Sequence, residues 1–394
     1  MKKAIALVLA LVMLVALAAG CTPADTTAPS TTAPSENTTA PSTTELQPQK
    51  ELGSFKIGVM GYSETGINVD NWNAFTKAIG DKLNVEFVYV VGSSFDESVN
   101  VTKVQELISS GCDGIITWMD SANPAIAAEC EKAGVLFGAV KTSMDTSLET
   151  VKSNPNFVGV VNDGTMDKTV LANQMWEQIK AAGVTEVGIT IFPAFAYPLQ
   201  GEIAGEIVRL ADEYNQTAAK KINVYEPTVL MFEMLPETYF ADYPDVELIC
   251  GLSSGFVYPT MVAANRTDVI LLSTGYMPEY EEPMRDGVIG LQTFSMTEVN
   301  MYTIALMVDR LNGFEYPDMP DMLERIDVTP VMITNGDDLD VIFEKTYVND
   351  NDTSKLYPSL DELLKLTMCY NPDATYAALV ETVQNMSLDD IKAK

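Results

Sequence analysis

Short apolar runs alternate with helical patterns along residues 55–161, and this alternation restricts the fold more than any other feature of the sequence. The runs at 55–62, 85–91, 114–119, 135–140 and 157–161 have the length and the β-branched content of buried strands. Amphipathic patterns at 70–82, 97–110 and 123–132 separate the first four runs. Alternation of this kind is typical of βαβ units, so we predict a parallel sheet with helices on both faces.

The same alternation begins again after residue 165. Further strands are expected at 186–192, 246–250, 269–273 and 288–292, an extended segment at 327–335, and helices at 166–182, 200–214 and 298–311. Two more helices are expected near the end, at 359–367 with Ser359 as N-cap and at 371–386 with Asn371 as N-cap. A body this long exceeds one small core, so we predict an α/β fold with two Rossmann-like lobes.

The N-terminus has the pattern of an export signal. Lys2 and Lys3 precede an unbroken apolar run at 4–19, which is shorter than the about 20 residues of a membrane-spanning helix. The segment Ala18-Ala19-Gly20-Cys21 resembles the lipobox of bacterial lipoproteins, although Ala18 stands where Leu is usual. That resemblance implies cleavage after residue 20 and acylation of Cys21. The alternative is an ordinary secretory signal that ends close to a cysteine.

Residues 21–53 are predicted to be a tether. The pentamer TTAPS occurs at 26–30, 31–35 and 38–42, and such a segment has too little apolar surface to offset its ordering entropy. Proline keeps a chain of this composition extended, so it would act as a spacer between a lipid anchor and the folded body.

Charge and residue usage exclude several classes of function. The chain has 24 Lys and Arg against 55 Asp and Glu, a net charge of -31, which argues against nucleic acid and anionic lipid surfaces as direct partners. It contains no histidine, so His-ligated metals and His-dependent catalytic triads are excluded, and no cofactor or metal is expected. Apart from Cys21, the four cysteines lack regular spacing and are expected to be buried thiols.

Four stretches of the body have a recognisable pattern. They are KIGVMG at 56–61, QELI at 105–108 followed by GCDGII at 111–116, AAECEKAG at 127–134 and FVGVVND at 157–163. These stretches resemble type I periplasmic binding proteins, the solute-binding family of ABC importers that includes ribose- and galactose-binding proteins. The resemblance covers about residues 54–335, and the second stretch is the most specific.

The resemblance implies two lobes joined by crossovers with a ligand between them. The first lobe would comprise 54–163 and 293–325, the second 164–292 and 326–340, and residues 341–394 would form a helical extension. The implied protein is a monomeric extracytoplasmic lipoprotein, not an enzyme, that captures a small polar ligand and delivers it to an ABC permease. The alternative is a lipoprotein that presents its ligand to a membrane receptor kinase.

Side chains just past the predicted strands are the candidate ligand contacts, because ligands of open α/β sheets bind outside the carboxyl ends of the strands. They are Tyr62, Ser63, Glu64, Trp118, Asp120, Ser121, Lys141, Asn162, Asp163, Phe195, Tyr197, Ser253, Ser254, Thr274, Tyr276 and Gln292. The alternative at each polar position is a helix cap, and Trp118 and Phe195 could instead belong to the lobe cores.

Two departures from the family bear on the ligand. The arginine that sugar-binding members usually carry is missing, since Pro198 precedes Gly201 at that place, and Ser253-Ser254 stands where the family has Asn-Asp. Gln292 does match the ribose-type members. The ligand is therefore expected to be sugar-like or nucleoside-like, with a signalling metabolite as a further alternative.

The stretch 251–255 reads GxSxG between a strand and a helix, as in the nucleophile elbow of serine hydrolases. Such a nucleophile needs a histidine base, which this chain lacks. We interpret the stretch as a strand-to-helix turn.

Overall fold

Two sheets of mostly parallel strands organise the protein. The computed structural model describes residues 46–393 except 94–95, 163–167, 195–196, 276–279, 295–296, 346–355 and 386. Within this part, no helix is long and apolar enough to cross a membrane. The predicted α/β fold with parallel sheets in two lobes is confirmed.

The first sheet has six parallel strands and forms the first lobe. Its order is β12-β5-β4-β3-β1-β2. The strands are β1 (Phe55–Gly61), β2 (Val85–Val91), β3 (Gly114–Thr117), β4 (Leu136–Val140), β5 (Phe157–Asn162) and β12 (Arg325–Asp327). Consecutive strands among β1 to β5 lie beside each other in the sheet except β2 and β3, which pair with β1 on opposite sides.

Helices cover both faces of this sheet. They are α1 (Ile67–Leu83), α2 (Glu97–Ser109), α3 (Asn123–Ala133), α4 (Leu148–Val151) and α10 (Met301–Leu311). Successive strand residues point to opposite faces, so Ile115 joins the core under α2 and α3 while Ile116 joins the core under α1 and α10. Gly159 has φ +101, and a Cβ there would lie 2.6 Å from the Tyr302 ring, so α10 packs close to β5 only with glycine at this position.

The second sheet forms the second lobe. Its order is β13-β11-β10-β9-β6-β7, with β8 also paired to β6, and only the β11–β13 pair is antiparallel. The strands are β6 (Glu186–Ile191), β7 (Asn223–Val224), β8 (Thr228–Val229), β9 (Leu248–Gly251), β10 (Ile270–Ser273), β11 (Ile289–Phe294) and β13 (Val331–Ile333). The helices between β5 and β11 in the chain are α5 (Lys168–Ala182), α6 (Pro198–Thr217), α7 (Tyr239–Asp242), α8 (Tyr258–Ala263) and α9 (Glu281–Arg285).

The last part of the chain contributes to both lobes. Its helices are α11 (Gly336–Lys345), α12 (Leu360–Leu364), α13 (Tyr376–Gln384) and α14 (Leu388–Ala393). Helices α11 and α14 contact each other and β13 on the second lobe, whereas α13 contacts α10 and β12 on the first. Between Phe55 and Ala393 the chain therefore passes from one lobe to the other five times: after β5, β11, β12, α11 and α13.

Two elements extend across the expected boundaries. The first lobe was expected to end at residue 325, but β12 continues the first sheet to Asp327, so the crossover lies at 328–330. The extension was expected to begin at 341, which falls inside α11; Leu339 and Ile342 of that helix are both buried, so α11 begins at Gly336 as one packed unit.

The sequence predicted some helix starts correctly and others incorrectly. Ser359 caps α12 with a reciprocal capping box that includes Glu362, as predicted. Helix α13 instead begins at Tyr376 with Thr375 as its N-cap, so the prediction of Asn371 is wrong. Helix α1 begins at Ile67, three residues before the start of the predicted pattern at 70–82.

All four cysteines that the structure describes, Cys112, Cys130, Cys250 and Cys369, are buried free thiols, as expected. Burial raises the pKa of the Cys250 thiol to about 12, so it is inert at neutral pH.

Candidate functional site

The carboxyl ends of the parallel strands carry most of the predicted contacts. Strands β1, β3 and β4 bring Tyr62, Trp118 and Lys141 to one edge of the first sheet, and β6 leads to Tyr197 at the corresponding edge of the second. This is the edge at which open α/β sheets bind ligands.

An aromatic cluster lies beneath the edge of the first lobe. Trp118 is 3% exposed, and its ring centroid lies 5.4 Å from that of Trp72 and 5.5 Å from that of Tyr89. Its indole N–H donates to Asn300 Oδ1 at 3.2 Å. Trp118 therefore belongs largely to the lobe core, the alternative left open by the sequence, while Tyr62, 6.1 Å away, is 37% exposed.

Lys141 lies over this cluster. Its Nζ is 5.0 Å from the Trp118 ring centroid and 3.3 Å from Asn68 Oδ1, and Asn68 in turn donates to the Tyr62 hydroxyl at 2.8 Å. The backbone of Lys141 has φ 61, a left-handed conformation that is uncommon for residues other than glycine. Strained backbone of this kind tends to occur at functional sites, where the surrounding structure holds it.

A buried glutamate near Lys141 was not predicted. Glu298, in the 3-10 turn before α10, is 2% exposed. Burial raises the pKa of its carboxyl to about 8, and the charge of Lys141 partly opposes that rise. The strand-end criterion missed Glu298 because it precedes a helix after a crossover and follows no strand directly.

Asp120 organises the loop after β4. Its carboxylate accepts hydrogen bonds from the Thr142 hydroxyl, from the Ser143 hydroxyl at 3.4 Å and from the Met144 backbone N–H at 2.8 Å. Burial raises the pKa of this carboxyl, and those hydrogen bonds partly oppose the rise. All three bonds use Oδ1, so Asp120 holds this loop in place within its own lobe. Neighbouring Ser121 accepts from Asn100 at 2.8 Å and has a similar structural role.

The edge of the second lobe is aromatic. Tyr197 forms the N-cap of α6, and its ring centroid is 5.4 Å from that of Phe192. Phe192 also stacks on Phe232 at 4.7 Å and meets Phe256 edge-on at 5.1 Å. Phe232 and Phe256 were not predicted, because both lie in irregular segments several residues after their strands.

Two predicted contacts on this lobe are fully enclosed. Ser253 and Gln292 are each 0% exposed; Ser253 Oγ lies 2.8 Å from Thr190 Oγ1, and Gln292 Nε2 lies 2.9 Å from Met284 Sδ. The serine of the GxSxG stretch thus bonds a threonine inside the lobe. Thr274 Oγ1 likewise donates to the Leu252 carbonyl at 2.9 Å.

The remaining predicted contacts add little to the description of the site. Ser63 and Glu64 follow β1, where the Ser63 carbonyl accepts from the Tyr89 hydroxyl at 2.8 Å and Glu64 is exposed. Asn162 is buried and donates to Asp327 Oδ1 at 3.0 Å. Asp163, Phe195 and Tyr276 lie outside the described residues, as does the side chain of Ser254.

The two edges approach each other. The pKa of Tyr197 is raised chiefly by burial and also by the negative charge of Asp120 on the opposite lobe. The pKa of Lys168 on the second lobe is raised mainly by its ion pair with Glu202 and also by Asp145 of the first. Asp120 and Tyr197, which belong to different lobes, therefore lie close enough for their charges to interact. Within the described part of the chain, no group of three or more Cys, Asp or Glu side chains could hold a metal ion.

Solved structures share this architecture. A solute-binding protein of an ABC transporter from Burkholderia graminis, in complex with D-arabinose, superposes with a TM-score of 0.57 at 18% identity, over 72% of this chain and 96% of that one. The fold is that of type I periplasmic binding proteins. A solute-binding protein from Bacillus halodurans with bound myo-inositol gives a TM-score of 0.57 at 14% identity, over 74% and 97% of the two chains.

The fold also occurs in a protein described by a different role. A LacI transcriptional regulator from Bacteroides fragilis superposes with a TM-score of 0.55 at 12% identity, over 73% of this chain and 99% of that one. No protein-family model and no curated protein matches the sequence. The type I periplasmic binding fold is thus established, but proteins with this fold differ in function.

Proposed function

We propose that this protein is an extracytoplasmic lipoprotein that captures a small polar ligand, sugar-like or nucleoside-like, in the cleft between its lobes and delivers it to an ABC permease. The observation that carries the proposal is the approach of Asp120 and Tyr197 from opposite lobes at the carboxyl ends of two parallel sheets. A ligand in that position contacts both lobes and favours the closed arrangement.

The chemistry of the cleft supports binding in preference to catalysis. Asp120 and Lys141 offer an acceptor and a donor, and Tyr197 offers an aromatic face with a hydroxyl. The chain has no histidine to act as a general base beside Ser253, which is itself enclosed. The arabinose and inositol complexes of the structural neighbours support a hydroxylated ligand.

Anchoring is the second part of the proposal. Cys21 lies outside the described residues, and its acylation rests on the export signal and the AAGC segment. The acidic body would then be held at the outer face of the cytoplasmic membrane by its lipid, through a tether with few charged residues.

Binding and transport need separate experiments. A thermal-shift screen of sugars and nucleosides should find a ligand that raises the melting temperature, since a ligand at about 100 times its Kd stabilises the fold by about 2.7 kcal/mol. Uptake of that labelled ligand should then fall in cells that lack the protein. Normal uptake together with loss of a transcriptional response to the ligand would favour the receptor-kinase role.

A further inference from the structure

The polar side chains at the strand ends of the second lobe are already hydrogen-bonded within that lobe, as far as the structure describes them. Thr190 and Ser253 pair with each other, and Gln200 bonds the Phe192 N–H at 2.6 Å and the Leu252 carbonyl at 2.9 Å. Thr293 Oγ1 accepts the Gly275 N–H at 3.0 Å. A ligand hydroxyl directed at this wall would lose water and gain few partners.

Within the residues that the structure describes, aromatic side chains form part of the accessible surface of the same wall. Phe232 stacks on Phe192 with an interplanar angle of 17°, while Phe256 meets Phe192 at 87°. Tyr197, Phe232 and Phe256 are all half-buried, so part of each ring remains exposed. Flat unsaturated groups match such a wall better than a hydroxylated ring does.

The backbone that presents Phe232 is strained. Its φ is 61, which is rare for a bulky side chain. Hydrogen bonds of 2.8 Å hold both ends of the segment, from Leu230 N–H to the Ile191 carbonyl and from Leu235 N–H to the Phe256 carbonyl. Strain held in place in this way is characteristic of ligand sites.

Methionines extend this apolar surface into solvent. Met231 and Met234, on either side of Phe232, are each 54% exposed, and Val229 before them is 51% exposed. Exposed apolar groups in a cluster mark binding surfaces, and the flexible thioether adapts its shape to planar ligands.

The facing edge of the first lobe carries the polar side chains Asp120, Lys141 and Asn68 beside the exposed ring of Tyr62. The described rings of the second lobe thus face an edge that supplies charged and amide groups. We propose that the ligand is a nucleoside whose base lies against Phe232 and Phe256 and whose ribose is bound by Asp120 and Lys141. This assignment rests on the proposed cleft function and selects between its two ligand classes.

Calorimetry on the purified full-length protein tests the assignment, with uridine and adenosine as probes against ribose, galactose and myo-inositol. At least one nucleoside should bind about tenfold or more tightly than ribose, because the base adds a stacking contact. Phe232→Leu keeps apolar bulk but removes the ring, and should weaken nucleoside binding by about fivefold or more. Phe256→Leu provides a second variant should the first lose its fold.

The matched control is Phe314→Leu. Phe314 is also half-buried, but it lines a groove with Phe157 at the other end of the first sheet, and Lys50 Nζ lies 4.4 Å from its ring centroid. This variant should keep nucleoside affinity within about twofold of the parent, since its ring is remote from the cleft.

Three other outcomes would each contradict the proposal in a different way. Ribose, galactose or myo-inositol binding as tightly as the better-bound nucleoside would overturn the nucleoside assignment and leave the cleft function standing. Nucleoside binding that neither Phe232→Leu nor Phe256→Leu weakens would overturn the placement of the base. Binding of none of the five probes would overturn the assignment and count against the proposed function as well.

Discussion

The carboxylate of Asp309 accepts a hydrogen bond of 2.9 Å from the backbone N–H of Cys369, 60 residues further along the chain. Its second oxygen accepts the Met368 N–H at 2.8 Å. Asp309 is 1% exposed, and burial raises the pKa of its carboxyl, an effect that these hydrogen bonds partly oppose. One buried side chain on α10 thus holds the segment between α12 and α13 on the first lobe.

Replacing Asp309 with alanine should lower the free energy of unfolding by about 2–4 kcal/mol, because two buried N–H groups lose their acceptors. Urea denaturation followed by circular dichroism measures the change. Asp373→Ala, at an exposed carboxylate, is the control and should stay within about 0.5 kcal/mol. Equal stability of the two variants would show that solvent replaces Asp309 without cost.

Glu298 should make the stability of the protein depend on pH. Its carboxyl pKa is about 8 in the fold against 4.5 for an ordinary glutamate, so the folded state binds this proton more tightly than the unfolded chain does. The resulting stabilisation is fully present below pH 4.5 and is lost as the pH rises through about 8.

The slope of this loss is at most about 1.4 kcal/mol per pH unit. Glu298→Gln resembles the protonated side chain but does not titrate, so the unfolding free energy of the parent minus that of the variant should fall steadily from pH 5 to pH 8. Parallel pH profiles for the two proteins would contradict the buried, proton-binding state of Glu298.

Alanine at Asp120 or at Tyr197 should each weaken ligand binding by about 1–3 kcal/mol, once a ligand has been found by thermal shift. Asp120→Ala acts on the first lobe, where it also releases the loop that contains Thr142 and Met144. Tyr197→Ala acts on the second lobe, where it removes a ring and a hydroxyl. Calorimetry measures both affinities.

Tyr214 supplies the control for the second lobe. It lies near the end of the same helix α6, is 37% exposed and packs against Trp176 at 5.6 Å. Tyr214→Ala should leave affinity within about twofold of the parent. The cleft has been misplaced if both Asp120→Ala and Tyr197→Ala fold normally and bind like this control.

Replacing Cys21 with serine should abolish acylation, because the thiol is the acyl acceptor in the lipoprotein reading of the AAGC segment. Fractionation of cells should then move the protein from the membrane to the soluble or secreted fraction. A Cys21→Ser protein that remains with the membrane and carries lipid would refute that reading.

Strand and helix periodicity predicted the two parallel sheets, because burial on both faces leaves continuous apolar runs such as 135–140. Local chemistry predicted Ser359 as a cap, since Ser359 and Glu362 satisfy each other within four residues. The same kind of local prediction was wrong at Asn371. The Asn371 side chain donates to the Lys365 carbonyl at 3.1 Å, and α13 starts only after Thr375.

The site was harder to predict than the fold. A hydroxyl at a strand end can face the cleft or a neighbouring strand, and the sequence does not distinguish Ser253, which pairs with Thr190, from a ligand contact. Phe232 reaches the second lobe's edge through a left-handed backbone, a conformation that residue preferences argue against. Glu298 approaches Lys141 only after a crossover between lobes brings it there.

The five passages of the chain between the lobes leave its two described ends on different bodies. Near the start, Gln49 and Gly53 are bonded to Cys369 and Asn312 on the first lobe, whereas α14 lies against α11 on the second. A donor and an acceptor dye placed at these two ends would therefore read out lobe closure as a change in energy transfer, without any label in the cleft.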